Sequence, residues 1–274
     1  MKSLLIAGCG DLGTRLADRL DSADWRIAGL RRDVGQLPRS IQGVAGDLTR
    51  PETLRKLDRH YDAVIYQATP AAREPAAYRD IYVTGLGNLL SRVSTDRLIF
   101  VSSTAVYGQD DGSEVDEDSL TEPQAFNGRI LLEAERLAIQ AGGLVVRFSG
   151  IYGPGRDFLL RQLKAGRATC RETPPQWTNR IHVDDCAAVL AHLLALDRPE
   201  AIYCASDATP SPRCQVLDWL ADQLGVAGPV REASTESGSG KRVLNHRLVH
   251  SGFEFTYPDF RAGYQGVIHA SAND

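Results

Sequence analysis

Six residues near the amino end, Gly8-Cys9-Gly10-Asp11-Leu12-Gly13, have the types and spacing to hold a pyrophosphate. Gly8 allows a sharp turn, Gly10 lets the backbone approach the phosphates, and Gly13 lets a following helix lie close on a strand. Asp11 and Leu12 open that helix, whose first N–H groups and positive dipole end suit an anion. About 20 residues on, a dinucleotide site places an acidic residue for the ribose 2′-hydroxyl. This chain has Arg31-Arg32 there, and Asp33 comes only after both. Paired guanidinium groups suit a 2′-phosphate, so the expected cofactor is NADP rather than NAD.

These residues need strands and helices to position them. Leu4-Leu5-Ile6-Ala7 reads as a strand entering the glycine turn, and Leu12, Leu16 and Leu20 recur at helical spacing. Further strands are expected at residues 25–30, 41–45, 63–66 and 97–103. One helix is expected to start at Thr49, capped by it with Pro51 in the first turn, and another to span residues 76–93. Strands alternating with helices predict an α/β fold, a doubly wound parallel sheet with ligands beyond the carboxyl ends of its strands. Ala68, Thr69 and Pro70 follow the fourth strand and are placed at that edge.

Composition narrows the function classes. The 274 residues suffice for one large or two modest domains, with 43% hydrophobic and 24% charged residues. A net charge of -4 gives no electrostatic case for nucleic acid or an anionic membrane. Only Lys2, Lys56, Lys164 and Lys241 are lysines. Five cysteines without Cys-x-x-Cys suggest neither a disulfide framework nor a zinc knuckle, and fit a reducing cytoplasm. The apolar run before Cys9 is too short for a signal peptide, and no run approaches the roughly 20 apolar residues of a membrane span.

From Ser102-Ser103-Thr104-Ala105-Val106-Tyr107-Gly108 onward the chain resembles an extended, or atypical, short-chain dehydrogenase/reductase of the NAD-dependent epimerase/dehydratase group. Gly46-Asp47-Leu48 resembles that family's turn against the adenine, and residues 83–90 resemble its central helix. Residues 115–123 resemble its acidic loop. Arg147-Phe148-Ser149-Gly150-Ile151-Tyr152-Gly153 resembles its sixth strand and the turn after it, and Arg180-Ile181-His182-Val183-Asp184-Asp185 its late helix start. The resemblance implies a Rossmann domain over residues 1–154, with 179–206 returning to it. It also implies a small discontinuous C-terminal substrate lobe over 155–178 and 207–274. Residues 234–241, rich in Gly and Ser, are expected to be a mobile loop. Residues 242–245 and 252–258 are expected to close the lobe. A homodimer through helices 76–93 and 124–140 is implied as well, with Ile130, Leu131, Leu132, Leu137 and Ile139 as apolar candidates.

The resemblance also exposes gaps. The family's chemistry uses a Tyr that exchanges a proton with substrate, a Lys four residues later that lowers its pKa, and a Ser that orients the reacting oxygen. Ser103 matches the Ser. Residues 127–135 align without gaps to the family's Tyr-Gly-Arg-Ser-Lys-Leu-Glu-Gly-Glu helix, which puts Asn127 in the Tyr position and Leu131 in the Lys position. Tyr82 stands where the family's Asn is usual, and with Ser103 it is the candidate for a substitute dyad. Tyr107 and Tyr152 are expected to pack with hydrogen-bonded hydroxyls. His182 is expected to tie the two lobes together, while Asp184 and Asp185 cap a helix rather than bind metal. On the substrate side, Gly150 replaces an Asn and Thr178 a phosphate-binding Arg; Arg180 is near enough to substitute, and Arg156 and Arg161 are expected in the same lobe. Two readings follow: an NADP-dependent enzyme acting on a small carbonyl or sugar-like molecule with a non-standard proton donor, or a dinucleotide-sensing module that binds without turnover.

Overall fold

The structure is a computed structural model describing residues 1–233 and 238–271. The apolar runs form one seven-stranded parallel sheet. Its strands are β1 (Lys2–Ala7), β2 (Trp25–Arg31), β3 (Gln42–Ala45), β4 (His60–Tyr66), β5 (Ser94–Ser103), β6 (Leu144–Phe148) and β7 (Ile202–Ala205). Leu4, Leu5, Ile6, Ile65, Ile99 and Phe100 expose nothing, as strands covered on both faces require. The spatial order is β7-β6-β5-β4-β1-β2-β3. From β1 the chain moves outward through β2 and β3, then returns to lay β4 on the other side of β1. Ala7 therefore pairs with both Leu30 and Tyr66. A crevice opens at the carboxyl ends of strands at such a reversal.

The chain divides into two compact units, residues 1–106, 121–147 and 187–203 in unit 1 and residues 107–120, 148–186 and 204–274 in unit 2. These bounds differ from those read off the sequence, because two short parallel pairs hold loops within unit 2. Arg242–Val243 lies beside Glu114–Val115, and Arg180–His182 beside Gly150–Tyr152. Unit 1 carries helices α1 (Asp11–Ala17) and α2 (Phe126–Gln140). The carboxyl end of α3 (Val183–Ala195) also lies there, where the Arg97 guanidinium donates to the carbonyls of Leu193 at 3.0 Å, Leu194 at 3.2 Å and Leu196. A single half-buried cation thus satisfies acceptors that a helix end leaves open. In unit 2, α4 (Arg213–Leu224) and α5 (Phe260–Ser271) pack around Tyr152, Leu160, Leu217, Leu220, Phe260 and Tyr264.

Several expectations are corrected. Residues 76–93 are not one α-helix. Pro75–Arg79 and Leu86–Arg92 are α-helical, and Asp80–Gly85 between them is π-helical. The cause is a hydroxyl from another strand: Tyr66 donates to the Ile81 carbonyl inside the widened turn, and a Cβ on Gly85 would meet that hydroxyl at 2.7 Å. The helix expected from Thr49 is a 3₁₀ segment, Pro51–Lys56, and Thr49 does not cap it. Instead the Thr49 hydroxyl donates to Asp47 at 2.8 Å.

Cys170 and Cys214, 44 residues apart, form a disulfide inside unit 2, where the sequence suggested none. Spacing rules cannot see a pair that only the fold brings together. Cys9, Cys186 and Cys204 are buried thiols. Of the segment expected to be mobile, 234–237 lies outside the described residues, but 238–241 is held. Ser239 N–H donates to the Asp110 carbonyl at 2.7 Å, and Gly240 N–H to the Asp110 carboxylate at 2.6 Å. Ile130 and Leu131, named for a dimer face, are 6% and 4% exposed and belong to the core, whereas Ile139 is 38% exposed. No helix among the described residues is long and apolar enough to cross a membrane.

Candidate functional site

A pocket of about 440 Å³ in unit 1 lies at the crevice where the strand order reverses. The turn after β1 supplies Gly8 and Gly10, the end of β2 supplies Arg31 and Arg32, the turn after β3 supplies Asp47 and Leu48, and the end of β4 supplies Ala68 and Thr69. The glycine turn is held by its own backbone: Gly8 and Cys9 N–H donate to the Leu30 carbonyl at 2.9 and 3.1 Å. Gly8 has φ +83°, and a Cβ there would meet the Ala68 backbone at 2.4 Å. A Cβ on Gly13 would strike the Gln67 amide at 2.6 Å, so this residue lets α1 sit on the sheet. Gly10 differs. A Cβ there has nothing nearer than the Gly8 carbonyl at 4.0 Å. The protein itself does not need Gly10 to be glycine, so the free space beside it is room for a ligand. Helix α1 has only seven residues, which shifts the anion-holding capacity from its dipole to the glycine turn and the arginines.

The two arginines are not equivalent. Arg31 Nη1 donates to the Cys9 carbonyl at 3.3 Å and so braces the turn, while Arg32 is exposed at the pocket rim. Asp33 also lines the pocket, but its Oδ1 accepts from the Gly35 N–H at 2.9 Å, a local turn bond. Burial acts to raise the Asp47 carboxyl, and hydrogen bonds from Thr49 together with Arg32 and Arg50 outweigh it and hold the group below the usual carboxylate range. Asp11, Leu12, Gly13 and Pro70 are not among the lining residues, and Phe148 is buried at the end of β6 in unit 2. The sequence reading missed Ala77, Asp80 and Ile81, which line the pocket from the π-helical stretch and the turn before it. No sequence pattern flags them, because the Tyr66 hydroxyl sets that geometry from a distant strand.

The residues named for proton transfer are arranged differently from the family's relay. Ser103 ends β5, and its Oγ accepts from the Ala105 N–H at 3.2 Å. Asn127 lies in the first turn of α2, and Leu131 one turn on is buried. Tyr82 is 9% exposed, edge-on to Phe100 with ring centres 6.3 Å apart, and burial pushes its phenol up to about 12. An activated tyrosine needs the opposite shift. Tyr107 donates to the Asp116 carbonyl at 2.6 Å and Tyr152 to the Asp259 carbonyl at 3.4 Å, both buried structural bonds. His182, 2% exposed, packs on Tyr152 and Tyr257 with ring centres 5.3 and 3.9 Å away. Asp185 does not cap a helix. It accepts the N–H groups of Thr256 and Tyr257 at 3.0 and 2.9 Å, clamping the loop before α5. Metal-ligand clustering among the described residues occurs at His60, Asp62 and Asp96, a mostly exposed group that includes none of these residues.

Unit 2 buries a sparsely paired charge set. Asp207 is 1% exposed; one carboxylate oxygen accepts from Thr209 N–H at 3.2 Å and the other has no partner. Burial, opposed by Arg180 and by the Thr209 hydrogen bond and aided by Asp259 and Asp185, moves it from the ordinary 3.8 up to about 7. Between these values the folded chain holds a proton that the unfolded chain has released, so stability contributed here falls as pH rises and is lost above about 7. Asp207→Asn is expected to mimic the protonated form. Its stability advantage over wild type in urea unfolding should be about 2–3 kcal/mol larger at pH 8 than at pH 5. Parallel stability curves across that range would refute the assignment.

Comparison with known proteins agrees with this geometry. The NAD dependent epimerase/dehydratase family model matches residues 4–205. The chain is similar to Protein YeeZ of Escherichia coli K12, 29% identical over 275 residues that cover 94% of this chain and 97% of that one. It is similar to the 3-diazoavenalumate denitrifying reductase of a Streptomyces species, 28% identical over 91% of this chain and 89% of the relative. A solved structure assigned as an NAD-dependent epimerase/dehydratase from Methylobacillus flagellatus aligns with TM-score 0.85 and 38% identity, covering 100% and 99% of the two chains. MoeE5 in complex with UDP-glucose and NAD, at 21% identity and TM-score 0.79, shares the fold. With its glycine turn, its strand reversal and most of its length matched, the chain belongs to the NAD dependent epimerase/dehydratase family.

Proposed function

We propose that the protein binds NADP(H) in the unit 1 pocket and takes a small carbonyl or sugar-like molecule, without the Tyr–Lys proton relay. The open space beside Gly10, in a pocket that Arg32 also lines, carries this reading. Arg32 would take the 2′-phosphate, while Arg31 holds the turn and the Asp47–Leu48 segment borders the adenine side. The dinucleotide, when bound, supplies hydride chemistry. Ser103 would orient a reacting oxygen, with Tyr82 as the proton donor proposed from sequence. The reductase among the relatives supports a reaction of this class.

A second reading, a dinucleotide sensor without turnover, is favoured by a specific observation. Leu131 is buried where an activating cation would stand, and burial pushes Tyr82 up rather than down. Losing one acid–base group is typically worth about 10²–10⁴-fold. Calorimetric titration with NADPH and NADH, followed by NADPH oxidation assays with aldehydes, ketones and nucleotide sugars, tests both. NADPH binding at least about tenfold tighter than NADH is expected, since one charge-assisted contact is at stake. Turnover that disappears in Ser103→Ala selects the enzyme, and tight binding with no turnover selects the sensor. Equal affinity for the two cofactors would overturn the choice of NADP.

The reading includes a cytoplasmic homodimer. Light scattering that gives a monomer would remove the dimer, and a Cys170–Cys214 bond found intact in alkylated cell lysate would argue against a reducing compartment.

A further inference from the structure

The strands of unit 1 carry a second cluster near their amino ends, the edge opposite the pocket. His60, Asp62 and Asp96 each offer a ligand atom there, and these atoms lie within 4.8 Å of one another. The sheet puts them together. His60 and Asp62 are two apart on β4 and so share a face. The register pairs His60 with Ser94 and Ala63 with Arg97, which sets Asp62 beside Asp96 of β5. It also pairs Leu4 with Ala63, which sets Ser3 beside Asp62. Two carboxylates opposite each other on adjacent strands repel. Among the described residues no Lys or Arg pairs with either of them, and the one basic group beside them is His60.

The imidazole is oriented as a ligand. The Ser94 hydroxyl has one proton and donates it to the Arg59 carbonyl at 3.2 Å. His60 Nδ1, 3.2 Å from the same hydroxyl oxygen, is therefore the donor between the two. In the neutral ring that leaves the lone pair on Nε2. Nε2 stands 3.7 Å from Asp96 Oδ2, a meeting of two acceptors at a distance too long for a hydrogen bond. Two ligand atoms bound at about 2.0–2.2 Å to one ion lie about 3–4 Å apart, which is the spacing found here. Asp62 is braced from the other side. The Ser3 N–H and hydroxyl both donate to its Oδ2 at 2.6 Å, leaving the second oxygen without a hydrogen bond among the described residues. Such outer hydrogen bonds are what fix metal ligands in place. We propose that His60 Nε2, Asp62 and Asp96 bind a zinc-type divalent cation, with water in the position that three protein ligands leave open. The nitrogen ligand selects against magnesium and calcium, which take oxygen. An ion there ties the starts of β4 and β5 together. The site lies outside the proposed function and does not depend on a cofactor.

The full chain, stripped with a chelator, is titrated by calorimetry with zinc chloride and, separately, with magnesium chloride, and is melted with and without zinc. One zinc per chain, bound at least about tenfold more tightly than magnesium, and a higher melting temperature with zinc are expected. His60→Gln and Asp96→Asn should each weaken zinc by about tenfold or more, since even an outer-shell change typically costs about 10–100-fold. Their side chains are 50% and 71% exposed, so both variants should keep the fold. Ser94→Ala retains all three ligands and should still weaken zinc about tenfold by releasing the imidazole, an effect that a plain surface ion pair would not show. His246→Ala alters the other close histidine pair, His246 with His250, and should bind zinc like wild type. No zinc binding, magnesium bound as tightly as zinc, any of the three cluster variants binding like wild type, or loss of zinc in His246→Ala would overturn the proposal.

Discussion

Gly10→Ala is expected to unfold at the same temperature as wild type and to bind NADPH about tenfold more weakly or worse, a loss of at least ~1.4 kcal/mol. The two halves of this expectation come from different observations. Gly10 has φ -105° and ψ -153°, an extended conformation that alanine adopts freely. The added methyl would meet nothing nearer than 4.0 Å in the free protein. Stability should therefore be unchanged. If a pyrophosphate uses that space, the methyl stands in its way. Gly8→Ala is the contrasting variant, since it must adopt φ +83° and drive a Cβ into the Ala68 backbone at 2.4 Å. The left-handed conformation alone costs about 1–2 kcal/mol, and the clash adds to it by prising β1 from β4. Calorimetric melting with NADPH titration of both variants separates a residue the fold requires from one the ligand requires. Undiminished NADPH affinity in Gly10→Ala would mean that no phosphate approaches this turn.

That contrast also shows which parts of the site sequence can reveal. The glycine turn and the strands around it were legible because buried parallel strands read as apolar runs, and because Gly-x-Gly-x-x-Gly between a strand and a helix has few other uses. Arg31 and Arg32 were legible as a pair by their distance from the turn, yet only the structure divides their labour, one bracing Cys9 and the other facing the pocket. Ala77, Asp80 and Ile81 were not legible. Their place depends on a hydroxyl reaching from Tyr66 to the Ile81 carbonyl, a contact between residues 15 apart that leaves no periodic trace. The Cys170–Cys214 bond and the clamp of Asp185 on Thr256 and Tyr257 were hidden for the same reason. Local pattern specifies elements, whereas pairings between them are set by tertiary packing.

The largest expected loss of stability comes from the helix that carries Asn127 and Leu131. Glu135 on α2 is 1% exposed and meets Arg147 of β6, 3% exposed, at 2.7 Å, with a further contact at 3.0 Å through Arg147 Nε. Ser102 donates to the same carboxylate at 2.5 Å, so the pair also fixes the end of β5 beside Ser103. Glu135→Ala leaves a buried guanidinium without its counter-charge and is expected to destabilise the chain by about 3–5 kcal/mol in urea unfolding. Glu133, two residues earlier, pairs with Arg79, but both side chains are roughly half exposed, at 42% and 53%. Water and salt screen that pair, so Glu133→Ala should cost less than about 1 kcal/mol. Replacing both buried partners, Glu135→Leu with Arg147→Met, removes the stranded charge and should recover most of the loss. Ser102 then loses an acceptor, and any weakening of Ser103-dependent turnover in the stable double variant would show that the pair positions the end of β5 as well as holding the fold. A Glu135→Ala variant as stable as Glu133→Ala would show that the buried pair contributes no more than the exposed one.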